Sequence, residues 1–235
     1  MHDVLTIGTA TRDVFLASPR FKAVRDSHFT AKSGFPRGQA ECFALGEKVK
    51  VDKVILATGG GATNSAVTFA RQGFSTAAVL KVGRDEAGRD IRRELVKERV
   101  KAKILLAEDE GSGYSIILLS PDGERTILVY LGASEELILD DVRNLPKAKC
   151  VYIAPGGIKY EVIQKVITDF AKRGLFTAIN PSRAYLGLGR EKLLPLLNKT
   201  KVVILNREEA LTLTGGSYQD ARDVFNKLDK LISGT

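Results

Sequence analysis

Apolar positions along the chain follow two periods, and the change from one to the other divides it. Val4-Leu5-Thr6-Ile7, closed by Gly8, is a short apolar run that predicts a strand. Over residues 11–57 no helical period is present. Short β-type runs, Val14-Phe15-Leu16 and Val54-Ile55-Leu56, stand there among loop residues and predict irregular strands outside the main sheet. Over residues 62–72 the spacing turns helical: Ala66, Val67, Phe69 and Ala70 share a stripe, and Gly73 follows as a stop. Residues 77–80 predict a strand and 87–99 a charged helix. Residues 103–106, 114–119 and 126–130 read as strands, with Ser120-Pro121-Asp122-Gly123 as the hairpin turn between the last two.

Beyond residue 150 the pattern becomes regular. Strands at 150–154, 176–179 and 202–205 alternate with helical stretches at the spacing of strand–helix–strand units. Such units build a parallel sheet with helices on both faces. A last helix is predicted over 219–232, and residues 233–235 read as a turn leading toward a further strand.

Composition narrows the function classes. The 235 residues are 44% hydrophobic and 27% charged, an ordinary globular balance. Cys42 and Cys150 are too few for a disulfide framework, and His2 and His28 too few for a His-rich metal centre. No apolar run approaches the roughly 20 residues that cross a bilayer. The start, Met1-His2-Asp3-Val4, lacks the basic and apolar regions of a signal peptide, so a cytoplasmic, reduced protein is expected. The net charge of +8 favours anionic partners. Yet Arg89-Asp90-Ile91-Arg92-Arg93-Glu94 interleaves the two signs, as a solvated helix face does. Neither a nucleic-acid partner nor a membrane is therefore expected.

The most informative run is Gly59-Gly60-Gly61-Ala62-Thr63-Asn64. Glycines after a strand let backbone approach a ligand closely, and they open a helix whose N-terminus offers N–H groups. The Asn64 amide both donates and accepts, which suits a polyol. The alternative is a tight strand-to-helix turn with no ligand. No Gly-Lys-Ser/Thr follows, so this is not a P-loop, and Asn64 stands where a dinucleotide fingerprint needs its last glycine.

Gly60, Gly61, Ala62, Asn64, Ala66, Gly73 and Gly83 occur at the intervals of the first signature of the PfkB (ribokinase-like) carbohydrate kinase family, which the chain resembles over nearly its whole length. The run from Thr6 to Asp13 is similar to the family's opening strand with its sugar-binding Asp. Asn180-Pro181-Ser182 resembles a family strand end, and Asn206-Arg207-Glu208-Glu209 its N-x-x-E motif. The resemblance implies an α/β fold, a Rossmann-like three-layer α/β/α sandwich over residues 1–235. A small β-sheet lid would come from residues 11–57 and 103–130. It implies Asp13, Gly60, Gly61 and Asn64 as binders of the acceptor. Asn180, Asn206 and Glu209 would serve the nucleotide side, Asn206 and Glu209 also ordering Mg²⁺ through water. For Asn206 and Glu209 the plainer alternative is a helix cap with a first-turn acid. Asp85 reads as structural, and the Gly156-Gly157 and Gly215-Gly216 pairs as turns.

The implied activity is transfer of the γ-phosphoryl group of ATP, with Mg²⁺, to a hydroxyl of a sugar or nucleoside. A homodimer through the lid accompanies it in the family. Departures matter as much. The family often carries Lys near the position of Gly61, so a different acceptor is expected here. Its Gly-Ala-Gly-Asp motif, which supplies the catalytic base and an anion hole, occurs nowhere in these residues. The expectation is therefore a kinase cut short at its C-terminal side, inactive by itself, with its base beyond Thr235. The other expectation is a sugar- or nucleoside-binding module without catalysis.

Overall fold

The structure is a computed structural model that describes residues 1–30, 32–35, 38–216 and 220–232. Its strands are β1 (His2–Gly8), β2 (Thr11–Ala17), β3 (Ala23–Arg25), β4 (Gln39–Glu41), β5 (Lys53–Gly59), β6 (Thr76–Val82), β7 (Lys101–Leu106), β8 (Gly113–Leu119), β9 (Arg125–Tyr130), β10 (Ala148–Ala154), β11 (Phe176–Ile179) and β12 (Val202–Val203). Its helices are α1 (Gly61–Arg71), α2 (Glu86–Lys97), α3 (Tyr160–Lys172), α4 (Arg183–Leu186), α5 (Arg190–Leu197), α6 (Arg207–Thr214) and α7 (Ala221–Ile232). The helix expected over 219–232 is seen from Ala221; residue 219 and the turn at 233–235 lie outside the described residues. None of the described helices is long and apolar enough to cross a membrane.

The chain divides into two compact units. The first comprises Met1–Thr11, Thr58–Gly113 and Leu131–Thr235. Its six-stranded sheet has the order β12-β11-β10-β1-β6-β7, and every neighbouring pair is parallel. β1 lies at its middle, with Gly8 opposite Ala154 of β10 and Val4 opposite Thr76 of β6. Alternation along these strands sends side chains to two separate cores. On one face Leu5, Ile7, Val79, Val151, Ile153 and Ile179 join Val162, Ile163, Val166, Ile167 and Phe170 of α3. On the other, Ala78, Leu80 and Val82 meet Ala66, Ile91 and Leu95 of α1 and α2. Burial on both sides is why β1 and β6 read as continuous apolar runs. The result is the three-layer α/β/α arrangement.

One boundary differs from the sequence reading. The lid segment expected at 103–130 begins later, because β7 is the edge strand of the parallel sheet, paired with β6 from Ala77 opposite Lys101 to Val82 opposite Leu106. β6, α2 and β7 form one strand–helix–strand unit. Lys101 and Lys103 gave the run a half-polar, lid-like look. In the structure Lys103 donates to the carbonyls of Asp141 (3.0 Å) and Asn144 (3.2 Å), and Lys81 to that of Glu136 (3.0 Å). Two lysines thus tie the segment that follows β9 to the sheet.

The second unit comprises Arg12–Ala57 and Tyr114–Tyr130. It holds a four-stranded sheet, β5-β2-β8-β9, and the small antiparallel pair β3-β4. The β8–β9 hairpin turns where Ser120-Pro121-Asp122-Gly123 predicts, with Gly123 at φ 85° and its N–H on the Ser120 carbonyl at 3.0 Å. β9 is exposed along its whole length, including Ile127, Leu128, Val129 and Tyr130, and so are Val54, Ile55 and Leu56 of β5.

Asp85 is structural, as its place in the sequence suggests. It caps α2 by accepting the Gly88 N–H at 2.8 Å, and it accepts the Ser112 N–H at 2.7 Å and hydroxyl at 2.6 Å. Burial pushes its carboxyl pKa up, but the Ser112 hydroxyl and the two N–H groups together outweigh that and hold it below the ordinary value. A carboxyl lowered by folding stabilises above its unfolded pKa and loses that contribution as pH falls through the lowered one. Asp85→Ala should cost about 1 kcal/mol or more at neutral pH in urea unfolding, and the gap from the parent should close in the acid range. A gap independent of pH would count against this role.

Candidate functional site

The sheet order sets where a ligand can sit. From β1 the chain advances to β6 and β7 on one side and to β10, β11 and β12 on the other. Consecutive connections therefore leave opposite ways at β1 and β10, and the crevice at the carboxyl ends of those strands is the usual ligand position in such sheets. Three backbone segments converge there: Gly8-Thr9-Ala10, the start of α1, and Ala154 to Gly157.

The convergence explains the glycines. A Cβ on Gly8 would lie 2.0 Å from the Ala154 carbonyl oxygen. Gly60 has φ 94°, and a Cβ there would lie 2.5 Å from the Thr9 carbonyl oxygen; one on Gly61 would lie 2.4 Å from the Ala154 Cβ. The side-chain directions of Gly60 and Gly61 thus point into protein, and internal packing alone demands glycine at both.

The same junction fixes the polarity of the helix start. The Gly61 N–H donates to the Thr9 hydroxyl and the Ala62 N–H to the Thr9 carbonyl, both at 3.0 Å. Two of the four N–H groups that a helix N-terminus leaves unsatisfied are therefore taken by one threonine. The hydroxyl of Thr6 donates to the Ala62 carbonyl at 3.0 Å, and Thr63 and Ser65 donate back to carbonyls at residues 59–62. Asn64 is different. It is exposed on the first turn of α1, and its side-chain amide has no partner among the described residues. Asp13, in the stretch expected to hold irregular strands outside the main sheet, is the third residue of β2, half-buried, in the four-stranded unit.

Asn180, Asn206 and Glu209 lie at the same edge of the parallel sheet. The Asn180 N–H donates to the Ile153 carbonyl at 2.9 Å and its side-chain amide to that of Ile204 at 2.8 Å, so it clasps the ends of three strands. Asn206 and Glu209 form a reciprocal cap on α6: Asn206 accepts the Glu209 N–H at 2.8 Å, and Glu209 accepts the Asn206 N–H at 2.9 Å. Burial raises the Tyr152 pKa, and the Glu209 charge adds to the shift, which puts that carboxylate within electrostatic reach of β10. No cluster of three acidic, His or Cys groups exists among the described residues. Mg²⁺ is commonly held by one or two carboxylates with phosphates and water, and the Glu209 carboxylate beside an Asn fits that mode, not an all-protein cage.

Two residues here were given no role from sequence. Thr9 is one. Glu135 is the other: its carboxylate accepts the Gly157 N–H, and a Cβ on Gly157 would lie 2.4 Å from Glu135 Oε2. Ser182 donates its hydroxyl to the Gly156 carbonyl. Gly156-Gly157 is thus a turn made to receive a carboxylate. No spacing in the sequence connects Glu135 to it.

Together these features define a doubly wound α/β protein whose polar side chains collect at the carboxyl edge around a switch in strand order. The chain belongs to the pfkB family carbohydrate kinases, whose sequence model matches residues 36–235. It is 29% identical over 198 residues to a ribokinase of Staphylococcus aureus, covering 80% of this chain and 62% of that protein. It is 26% identical over 162 residues to an uncharacterized sugar kinase of Archaeoglobus fulgidus, covering 66% and 63%. The chain therefore spans less than two thirds of the length of these relatives. Among solved structures, the ribokinase of Giardia lamblia superposes with a TM-score of 0.77 at 18% identity, covering 100% of this chain and 67% of that one. The ribokinase of Arabidopsis thaliana complexed with ribose and ATP gives 0.73 at 19%, covering 99% and 69%. An adenosine kinase of Schistosoma mansoni with 2-fluoroadenosine gives 0.71 at 18%, covering 97% and 70%. The fold is ribokinase-like.

If Gly61 is required by packing, Gly61→Ala should lower stability by about 1–3 kcal/mol in urea unfolding with no ligand present. Unchanged stability with weakened ligand binding would put the ligand, and not Ala154, on that side of the backbone.

Proposed function

We propose that the protein is an ATP-dependent phosphotransferase acting on a hydroxyl of a sugar or nucleoside, with Mg²⁺, and that these residues carry its acceptor side and part of its phosphate side. The observation that carries this reading is Asn64: an unpartnered amide on the first turn of α1, in a family-specific glycine run, at the switch in strand order. An amide matches a hydroxyl as both donor and acceptor. Asp13 supplies a carboxylate for further hydroxyls, and the backbone at Gly60 and Gly61 forms the floor. Asn206 and Glu209 order metal and phosphate, Glu209 through water, and Asn180 holds the adjoining strand ends for the nucleotide. The metal supplies charge neutralisation at the transferring phosphoryl group.

In the transfer the acceptor oxygen forms the new bond to phosphorus, the bond to the ADP leaving group breaks, and the hydroxyl proton passes to a base. The family resemblance assigns that base to a Gly-Ala-Gly-Asp segment, which these residues do not contain. The second reading is a sugar- or nucleoside-binding module without catalysis, in which the same Asn64 amide holds the acceptor. The relatives named above include a ribokinase complexed with ribose and ATP and an adenosine kinase with 2-fluoroadenosine, which is why both acceptor classes stay in the proposal. A cytoplasmic location belongs to the same reading. So does a homodimer through the lid strands, supported by the exposed apolar residues of β5 and β9.

The test is phosphoryl transfer from ATP-Mg²⁺ by the full gene product across a panel of sugars and nucleosides. Turnover of one of them is expected, with residues 1–235 alone inactive. Asn64→Ala should raise the acceptor KM about tenfold, the loss of one to two hydrogen bonds, with little change in stability. A folded gene product that binds an acceptor but never turns it over would leave the binding-module reading. One that neither binds nor turns over any acceptor would defeat both.

A further inference from the structure

The turn that ends β10 is held from several directions at once. Pro155-Gly156-Gly157-Ile158 closes through the Ile158 N–H on the Pro155 carbonyl at 3.0 Å. Each of its last three residues also has a backbone group taken by a distant side chain. The Gly156 carbonyl receives the Ser182 hydroxyl, the Gly157 N–H goes to the Glu135 carboxylate, and the Ile158 carbonyl receives the Tyr185 hydroxyl at 2.6 Å. Ser182 caps α4 by accepting the Tyr185 N–H at 3.3 Å, so those two clamps come as one piece. Glu135 comes from elsewhere. It ends a short 3₁₀ turn, Gly132–Glu135, in which Ala133 and Ser134 are fully buried. The Ala133 N–H donates to the Gly111 carbonyl at 2.9 Å and the Ser134 hydroxyl to the Leu131 carbonyl at 2.6 Å. The carboxylate is thus presented from a fixed base.

What this turn touches gives it a role. Gly156 has φ 58°, and the space a side chain would take is filled by Thr9: a Cβ there would lie 2.3 Å from Thr9 Cγ2 and 3.0 Å from Glu135 Oε1. Threonine is branched at Cβ, so one rotation sets its methyl and its hydroxyl together. Packing the methyl on Gly156 therefore aims the hydroxyl. That hydroxyl accepts the Gly61 N–H at 3.0 Å, three residues before Asn64.

We infer that Glu135 is a positioning residue for the acceptor amide. By holding Gly157 it fixes Gly156 against the Thr9 methyl. Through the Thr9 hydroxyl it then sets where α1 begins and so where Asn64 stands. The effect passes through Gly156 and Thr9 and needs no contact between Glu135 and the acceptor. The link from Glu135 to Gly61 rests on these contacts alone, whereas its consequence for an acceptor rests on the kinase reading.

Two variants cut the link at different places. Glu135→Ala frees the Gly157 N–H, and Thr9→Ser keeps the hydroxyl but removes the methyl that aims it. Amide exchange of the protein without ligand should quicken about tenfold at Gly61 in either, the loss of one held hydrogen bond. Val166 and Phe170, in the middle and last turn of α3, should keep the parent rates. The double variant should be no worse at Gly61 than the single ones, because both act on one link. Glu135→Gln, whose amide oxygen can still accept from Gly157, should stay within about threefold of the parent. In the full gene product, with ribose, fructose and adenosine as acceptors, Glu135→Ala should raise the acceptor KM about threefold to tenfold and leave the KM for ATP unmoved. Adding Asn64→Ala to it should raise the acceptor KM less than Asn64→Ala does alone. Unchanged exchange at Gly61 in Glu135→Ala would overturn the inference. So would equal quickening at Val166 and Phe170, which is a general loss of stability, or an acceptor KM that stays at the parent value while Gly61 quickens. A gene product that uses none of the three acceptors would count against the kinase reading, and the amide rates would then decide the link from Glu135 to α1 by themselves.

Discussion

Thr9 holds the start of α1 by two contacts at once, its hydroxyl taking the Gly61 N–H and its carbonyl the Ala62 N–H. Much of the molecule follows from that junction. For the helix to come so near the tip of β1, Gly60 must lack a side chain; for it to come so near the end of β10, Gly61 must lack one; and for β1 to lie so near β10, Gly8 must lack one too. With its first donors occupied, the helix N-terminus is not an open cradle for phosphate, although a bare helix end is a natural one. The polar group left facing outward is the Asn64 amide. The junction therefore agrees with the sequence in offering no phosphate loop there, and it leaves Asn64 as the group to which we assign the acceptor hydroxyl.

The two cores support this arrangement differently. The α3 side is built from large aliphatic residues with Phe170, while the α1 side relies on alanine, which lets α1 lie low on the sheet. On the far side, Asn180 and the Asn206–Glu209 cap fix the strand ends and helix start in position without any ligand. A site whose polar groups are held by the fold needs little rearrangement on binding.

Much of this was legible in the sequence. The strand–helix alternation after residue 150 gave the parallel sheet, because period and spacing agree. The glycine run does open α1, as its position after a strand suggests, and lies against Thr9 and Ala154. Residues 103–106 were misplaced because two lysines on a half-exposed edge strand gave it the alternation of a lid strand, and only the third dimension shows Lys103 reaching carbonyls near Asp141. Thr9 and Glu135 went unassigned for a related reason: each acts on backbone far away in the chain, and neither a threonine after a glycine nor a glutamate in a short turn carries a spacing of its own. For Asn206 and Glu209 both readings were open. The structure has the cap, with one Glu209 carboxylate oxygen on the Asn206 N–H, and the metal role stays with the proposal.

Amide hydrogen exchange at Gly61 and Ala62 tests the junction most directly. If Thr9 takes both N–H groups, these two amides should exchange as slowly as those in the middle of α1, with no ligand present, and inorganic phosphate should leave their chemical shifts unmoved. Exchange at the rate of an exposed loop, together with shifts of both amides on adding phosphate, would contradict the account: the helix start would then be an anion cradle.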